Sequence, residues 1–117
     1  MLNATQAQEF AEHWVNAWNA HDLDAILAHY SEDFEMNSPY VSRVLGIEQD
    51  TLRGKIAVGD YWRQALSLYP NLHFKLKHVL HGARSVTLVY EGVAGLAAEV
   101  FLFNEQGLVV TAHAHYE

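Results

Sequence analysis

The sequence predicts an α+β fold, with helices in the first part of the chain and an antiparallel sheet after them. Apolar residues recur with a helical period before Pro70 and alternate with polar residues beyond it. Four such runs, at residues 72–81, 84–92, 96–103 and 108–116, are separated by short turns. This order is typical of a strand meander with helices packed on one face. A chain of 117 residues has the usual length of one domain.

The composition excludes several classes of function. Fourteen acidic and seven basic residues give a formal net charge of −7, so we expect no nucleic-acid partner and no association with an anionic membrane. No apolar run approaches the ~18 residues of a membrane helix, and the first residues lack the pattern of a secretory signal. Since cysteine is also absent, we predict a cytoplasmic protein. Charged residues are only 18% of the chain, which predicts surface hidden in an interface or around a cavity.

The first helix is predicted to run from Gln6 to Ala20. Thr5 and Gln8 form a capping-box pattern at its start, and an apolar stripe begins directly after this pattern. The apolar stripe of this helix consists of Phe10, Trp14, Ala17 and Trp18. Aromatic side chains on such a stripe usually belong to the core, but two tryptophans are more than plain packing requires. Trp14 and Trp18 are therefore also candidates for lining a pocket.

A second, shorter helix is predicted after Asp22, which can cap it. Its apolar spacing extends to Tyr30, which we expect in the helix core. A short strand at residues 34–38 follows and ends at Pro39. It carries the pocket candidates Met36 and Ser38.

The next segment, residues 40–51, has no clear period and predicts a long loop. Loops of this length in small domains often cover a functional site, and Tyr40 would lie at its mouth. A third helix is predicted from Gly54 and Lys55 up to Pro70, with Trp62 on its apolar stripe.

The last strand indicates which face of the sheet is buried. One set of alternate residues is apolar or aromatic and should face the helices; it comprises Leu108, Val110, Ala112, Ala114 and Tyr116. An even-length hairpin at residues 104–107 would place Phe101 opposite Val110 and Glu99 opposite Ala112. Directly opposed residues share a face, so Glu99 is predicted to point inward.

The preceding hairpin leads to the same face for Glu99 and predicts an apolar outer face. Val86, Leu88 and Tyr90 would lie on the inner face with Glu99. Val89, Val100 and Leu102 would then point outward, where they are too apolar for a solvated sheet. We expect a homodimer that packs through this outer face.

The strand at residues 72–81 allows two alternatives. Phe74 and Leu76 should be inside, and simple alternation adds His78 and Leu80. A β-bulge near residues 77–79 would instead turn Val79 inward. His78 is a pocket residue only in the first alternative.

Three segments in this order resemble a known superfamily. They are the run WVNAWNAHDLD at residues 14–24, Ser38-Pro39-Tyr40, and Leu52-Arg53-Gly54-Lys55 before the third helix. Together with the meander they resemble the nuclear-transport-factor-2-like superfamily, and within it the SnoaL-like proteins. The resemblance implies a curved sheet wrapped around the N-terminal helices as a cone-shaped α+β barrel, an apolar pocket and dimers built on the sheet. Members include isomerases, cyclases, hydrolases and proteins without catalysis, so the fold alone does not choose a function.

The resemblance to ketosteroid isomerase holds at one of three catalytic positions. The general-base aspartate of the isomerase precedes a proline, where this chain has Ser38. Its tyrosine on helix one corresponds to Trp14, which lacks the hydroxyl. Its carboxylic acid on the penultimate strand corresponds to Glu99. Steroid isomerisation in that form is therefore not expected.

Glu99 is the first candidate for chemistry. Burial among aromatic side chains should raise the pKa of its carboxyl group and suit it to general acid or base work. The alternative is a structural acid hydrogen-bonded to Tyr90, Tyr40 or a tryptophan N–H. His78, if it points inward, would form an acid–base couple with Glu99; otherwise it is packed or exposed at a bulge.

The predicted pocket would hold a small, mostly apolar molecule by few polar contacts. The candidate binding residues are Trp14, Trp18, Met36, Ser38, Tyr40, Trp62, Tyr90, Phe101 and Ala112. An isomerase, cyclase or hydrolase that uses Glu99 is one interpretation, and a ligand-binding or dimerisation domain without turnover is the other. No cofactor is predicted. His113 and His115 share a face, but it is the outer one, and we predict no metal site there.

Overall fold

The computed structural model describes residues 2–117 as an α+β domain. Its elements are α1 (Ala4–Asn19), α2 (Leu23–Leu27), β1 (Tyr30–Asn37), α3 (Tyr40–Leu45), β2 (Thr51–Arg53), α4 (Lys55–Leu68), β3 (Lys75–His81), β4 (Ser85–Gly92), β5 (Gly95–Phe103) and β6 (Val109–Tyr116). The helices pack on one face of the sheet, and the predicted fold class is confirmed.

Within residues 2–117 the strands form one curved sheet of six, in the order β2-β1-β6-β5-β4-β3. The predicted meander is present, since β3, β4, β5 and β6 pair antiparallel in succession. β1 lies parallel to β6 and antiparallel to β2. The edge strands β2 and β3 do not pair with each other, so the sheet curves around the helices without closing.

Helix α1 begins two residues earlier than predicted. The side chain of Asn3 accepts a hydrogen bond from the Gln6 N–H at 2.8 Å, and the Gln6 side chain accepts one from the Asn3 N–H at 3.0 Å. These bonds form the capping box, so the prediction of Thr5 and Gln8 is wrong. Ala7, which the predicted apolar stripe omits, is fully buried and belongs to that stripe.

Asp22 caps α2 as predicted, because its Oδ1 accepts from the Ala25 N–H at 3.1 Å. The placement of Tyr30 in this helix is wrong. The helix ends at Leu27, and Tyr30 opens β1 opposite Val109 of β6. Helical spacing and burial on a strand both require an apolar residue here, so periodicity alone could not separate them.

The predicted loop at residues 40–51 contains the short helix α3 and the first residue of β2. Gly46 ends α3 with a φ of 67°, and its N–H donates to the Ser42 carbonyl at 2.9 Å. A left-handed residue at this position favours glycine. Six residues are too few to show a helical period, so the prediction from the sequence did not include this helix.

The β5–β6 hairpin has one residue more than predicted. Phe103 pairs with Val109, whereas Phe101 pairs with Ala112 and Glu99 with Ala114. The predicted pairs of Phe101 with Val110 and Glu99 with Ala112 are therefore wrong by two residues. Val110 is the extra residue of a β-bulge, which leaves Ala112 and Ala114 on the inner face.

A bulge also decides the orientation of β3. Leu76 pairs with Tyr90 but His78 pairs with Val89, so Lys77 is the extra residue. Val79 turns inward and packs against the core, whereas Leu80 and His78 are exposed. The bulged alternative is confirmed, and simple alternation along this strand is wrong.

Candidate functional site

An apolar cavity of about 70 Å³ lies between the helices and the inner face of the sheet. Seven of the predicted site residues line it: Trp14, Trp18, Met36, Tyr40, Trp62, Tyr90 and Glu99. They come from α1, β1, α3, α4, β4 and β5. The tertiary fold therefore forms this cavity from side chains that are far apart in the sequence.

Three predicted binding residues lie outside the cavity wall. Phe101 and Ala112 are fully buried in the core, where the Phe101 ring packs edge-on against Trp14 at a centroid distance of 5.3 Å. Ser38 is buried behind the wall, and its hydroxyl accepts from the Tyr40 N–H at 3.1 Å. Inner-face parity identified the buried side but not the depth at which each side chain lies.

His78 does not reach the cavity. The bulge at Lys77 turns it to the outer face of β3, where it is exposed beside Val89. The predicted acid–base couple of His78 with Glu99 is therefore wrong.

Several lining residues were not predicted: Val44, Tyr61, Ala65, Tyr69, Leu72, Phe74, Gly92, Val93 and Tyr116. For some of these residues the sequence contains a pattern that indicates their place in the cavity wall. Tyr61 lies three residues after Val58 and beside Trp62, so it belongs to the same helical stripe. Phe74 and Tyr116 have the inner-face parity of their strands. Val93 lies in the β4–β5 turn, and nothing in the sequence indicates that this turn reaches the cavity.

Glu99 points into the interior, as the strand parity predicts, and is only 4% exposed. Its Oε1 accepts a hydrogen bond from the Tyr90 hydroxyl at 3.2 Å. Burial raises the pKa of the Glu99 carboxyl to about 7, although the bond from Tyr90 opposes the rise. Near neutral pH the carboxyl group therefore exists in both protonation states, and it can donate or accept a proton.

Tyrosine hydroxyls are the other titratable groups near Glu99. Burial raises the pKa of Tyr61 to about 12, against a hydrogen bond with Ser38 that lowers it. Burial also raises the pKa values of Tyr90 and Tyr116, and the charge of Glu99 adds to both rises. These hydroxyls stay protonated at neutral pH and can donate hydrogen bonds to a polar atom of a ligand.

The two tryptophans of α1 use their N–H groups differently. Trp14 donates to the hydroxyl of the buried Tyr30 at 2.9 Å, so its N–H is occupied within the core. The Trp18 Nε1 is buried and has no acceptor among residues 2–117. Its ring packs edge-on against Trp62 at 5.3 Å. The tryptophan rings thus supply apolar wall, and Glu99 and the tyrosines supply the polar groups.

The mouth of the cavity is formed by its more exposed lining residues. Val93 is 44% exposed and Tyr116 41%. The Tyr40 ring packs edge-on against Tyr116 at 4.5 Å and against Tyr69 at 6.4 Å. Tyr40, Tyr69 and Tyr116 therefore form an aromatic rim on the exposed side of the cavity.

No group of three or more histidine, cysteine or acidic residues within residues 2–117 could hold a metal ion. His113 and His115 are exposed on β6. Over the same residues, no helix is long and apolar enough to cross a membrane.

Comparison with known proteins agrees with this architecture. A profile of the SnoaL-like domain matches residues 11–117. The chain belongs to the SnoaL-like family. A crystal structure of a SnoaL-like protein of unknown function from Burkholderia thailandensis is 48% identical, with a TM-score of 0.92 over 100% of this chain and 99% of that one. No curated protein matches the sequence significantly.

Two solved structures of lower sequence identity share only the fold with this SnoaL-like protein. The epoxide hydrolase/cyclase-like enzyme SalBIII, which has a role in pyran ring formation in the polyether salinomycin, is 16% identical with a TM-score of 0.78, over 100% of this chain and 95% of that chain. An NTF2-like protein of unknown function from Burkholderia pseudomallei is 17% identical with a TM-score of 0.73, over 95% of this chain and 90% of that one.

Proposed function

We propose that this SnoaL-like protein binds a small apolar molecule in the cavity and isomerises, cyclises or hydrolyses it with Glu99 as the general acid or base. The observation that carries the proposal is a buried carboxyl group with a pKa of about 7 in an aromatic cavity. A catalytic acid or base works best when its pKa is near the working pH. The likeness to an epoxide hydrolase/cyclase-like enzyme supports this class of reaction at the level of the fold.

The geometry supports one proton-transfer group rather than a pair. Glu99 is the only carboxyl or histidine among the described residues that line the cavity. The Tyr90 hydroxyl orients its Oε1, which leaves the other carboxyl oxygen for a ligand. A single group would take a proton from one atom of the substrate and return it to another, as an isomerisation or a ring closure requires.

A second candidate is ligand binding without turnover. Ser38 favours this candidate, because the resemblance to ketosteroid isomerase places the general base at this position. The Ser38 hydroxyl already accepts a hydrogen bond from the Tyr40 N–H and lies 3.4 Å from the Tyr116 hydroxyl. A serine without a neighbouring base is not a general base at neutral pH. A homodimer through the outer sheet face and a cytoplasmic location also stay predictions.

The test combines binding with conversion. A panel of small apolar ketones, epoxides and hydroxy-epoxides would be screened by thermal shift, and each binder would be followed by NMR for chemical change. Glu99→Gln should lower the rate of conversion by about 100-fold or more and leave binding largely intact. The exposed Glu48→Gln is the matched control and should convert at the normal rate.

Each result separates the candidates. Unchanged conversion in Glu99→Gln would show that Glu99 is not the catalytic group. Binders that are never converted would favour ligand binding without turnover. A panel without any binder would contradict a functional cavity.

A further inference from the structure

A surface cleft lies next to the cavity on the side of its mouth. Tyr40, Val93 and Tyr116 line both spaces, and the cleft is completed by Pro39, Arg43, Glu117 and residues 94–96. Because the two spaces share these residues they are neighbours, and the part of a longer molecule that leaves the cavity would meet the cleft.

Arg43 brings a positive charge to this mouth. It is the only lysine or arginine among the described residues that line the cavity or the cleft. Its guanidinium carbon lies 5.0 Å from the centroid of the Tyr40 ring, within the range of a cation–π contact. Helix α3 therefore holds an exposed guanidinium group over one wall of the entrance.

This guanidinium group has no carboxylate partner within residues 2–117. Four other basic residues do have one within 4.0 Å: Arg53, Arg63, Lys77 and Arg84. Within the same residues Lys55 and Lys75 also lack such a partner, but neither of them lines the cavity or the cleft. The carboxylate of Glu117 in the same cleft instead accepts from the Leu96 N–H at 3.2 Å.

Charge placement along the cavity fixes the direction of an anionic ligand. An anion beside Glu99 would lose hydration among aromatic rings and would be repelled by the ionised carboxylate. At the mouth the same anion stays hydrated and meets Arg43. A planar guanidinium group also matches a carboxylate with two parallel hydrogen bonds.

We propose that the ligand is an apolar carboxylic acid, whose apolar part enters the cavity while its carboxylate binds Arg43 in the cleft. This inference rests on the proposed small-molecule function and names the class of compound. It also orients the ligand, because the carbon atoms farthest from the carboxylate reach Glu99.

The experiment uses ω-phenylalkanoates from phenylacetate to 5-phenylpentanoate, each paired with its primary amide. Acid and amide are nearly equal in size and differ in charge. Affinities are measured by isothermal titration calorimetry. At the chain length that spans from the cavity to Arg43, the acid should bind the full-length protein about three- to fivefold more tightly than the amide. The preference should shrink in high salt, since the site is exposed.

Arg43→Gln should abolish the preference for the acid and leave the affinity for the amide unchanged. Arg63→Gln is the matched control: Arg63 is exposed on α4, pairs with Asp60 and lies outside the cavity and the cleft. It should keep the preference of the parent protein. Arg43→Lys, which keeps the charge but loses the planar fork, should retain part of it.

Four results would overturn the proposal. If Arg43→Gln binds the acid as tightly as the parent protein does, the carboxylate binds elsewhere. If it weakens acid and amide equally, Arg43 only holds Tyr40 in place. If the parent protein binds both equally well, the carboxylate site is wrong and the cavity proposal stands, whereas binding of neither compound contradicts both.

Discussion

Glu99 links the chemistry of the cavity to the stability of the protein. Its carboxyl pKa of about 7 in the folded state compares with an ordinary value of 4.5. Between these values the folded state keeps a proton that the unfolded state releases. The contribution of this group to the stability of the folded state is therefore full below pH 4.5 and is lost as the pH rises to about 7. Above that pH the stability no longer changes through this group.

The pH dependence predicts how Glu99→Gln behaves. Glutamine is neutral at all pH values and can still accept from Tyr90, so the variant should be as stable as the parent near pH 4.5. Above pH 7 it should be more stable by about 3 kcal/mol, the free energy of ionising the buried acid. Urea unfolding across this pH range measures the difference.

Glu48→Gln serves as the control at an exposed position and should reproduce the pH profile of the parent. If the free energy of unfolding changes with pH equally in Glu99→Gln and in the parent, Glu99 ionises in the folded state as easily as in the unfolded state. That outcome would remove the electrostatic basis of the proposed catalytic role.

At the scale of one element, the start of α1 can be tested with a matched pair. Asn3 caps the helix through two reciprocal bonds with Gln6, whereas Thr5 lies exposed in the first turn. Asn3→Ala should cost about 1 kcal/mol of stability, and Thr5→Ala should change it by less than about 0.5 kcal/mol. Thermal or urea unfolding of both variants provides the measurement, and a larger loss in Thr5→Ala would place the cap at Thr5 after all.

The strands show why local pattern predicted the sheet but not each residue's depth. Alternation identified Leu88 and Glu99 as inner-face residues, because side chains on a strand alternate strictly. That rule fails after an extra residue. The bulge at Lys77 exposed His78, and the bulge at Val110 shifted the pairing of β6. Bulges depend on how neighbouring strands pair, so the sequence of one strand does not reveal them.

At the scale of the whole molecule, the outer face of the sheet predicts a homodimer. Leu80 is 59% exposed, Leu102 40%, and Val89 and Val100 lie half-buried beside them. A charge at the centre of this face should prevent association, so Val100→Glu should be monomeric by light scattering while the parent is dimeric. Ile56→Glu is the control, because Ile56 is 92% exposed on α4, away from the sheet. A monomeric parent protein would remove the proposed interface.

The sequence by itself determined the class of the fold, the order of helices and meander, and the inward direction of Glu99. The fold class and the order of elements follow from periodicity, which depends on neighbours along the chain, and the direction of Glu99 follows from alternation along strands that pair in hairpins. Only the tertiary structure decided that Tyr61 and Tyr116 line the same cavity as Tyr90 and that acid, that Ser38 lies behind the wall, and that Arg43 stands at the mouth. These arrangements depend on contacts between α3, α4 and the sheet, which are distant in sequence and are fixed when the core packs.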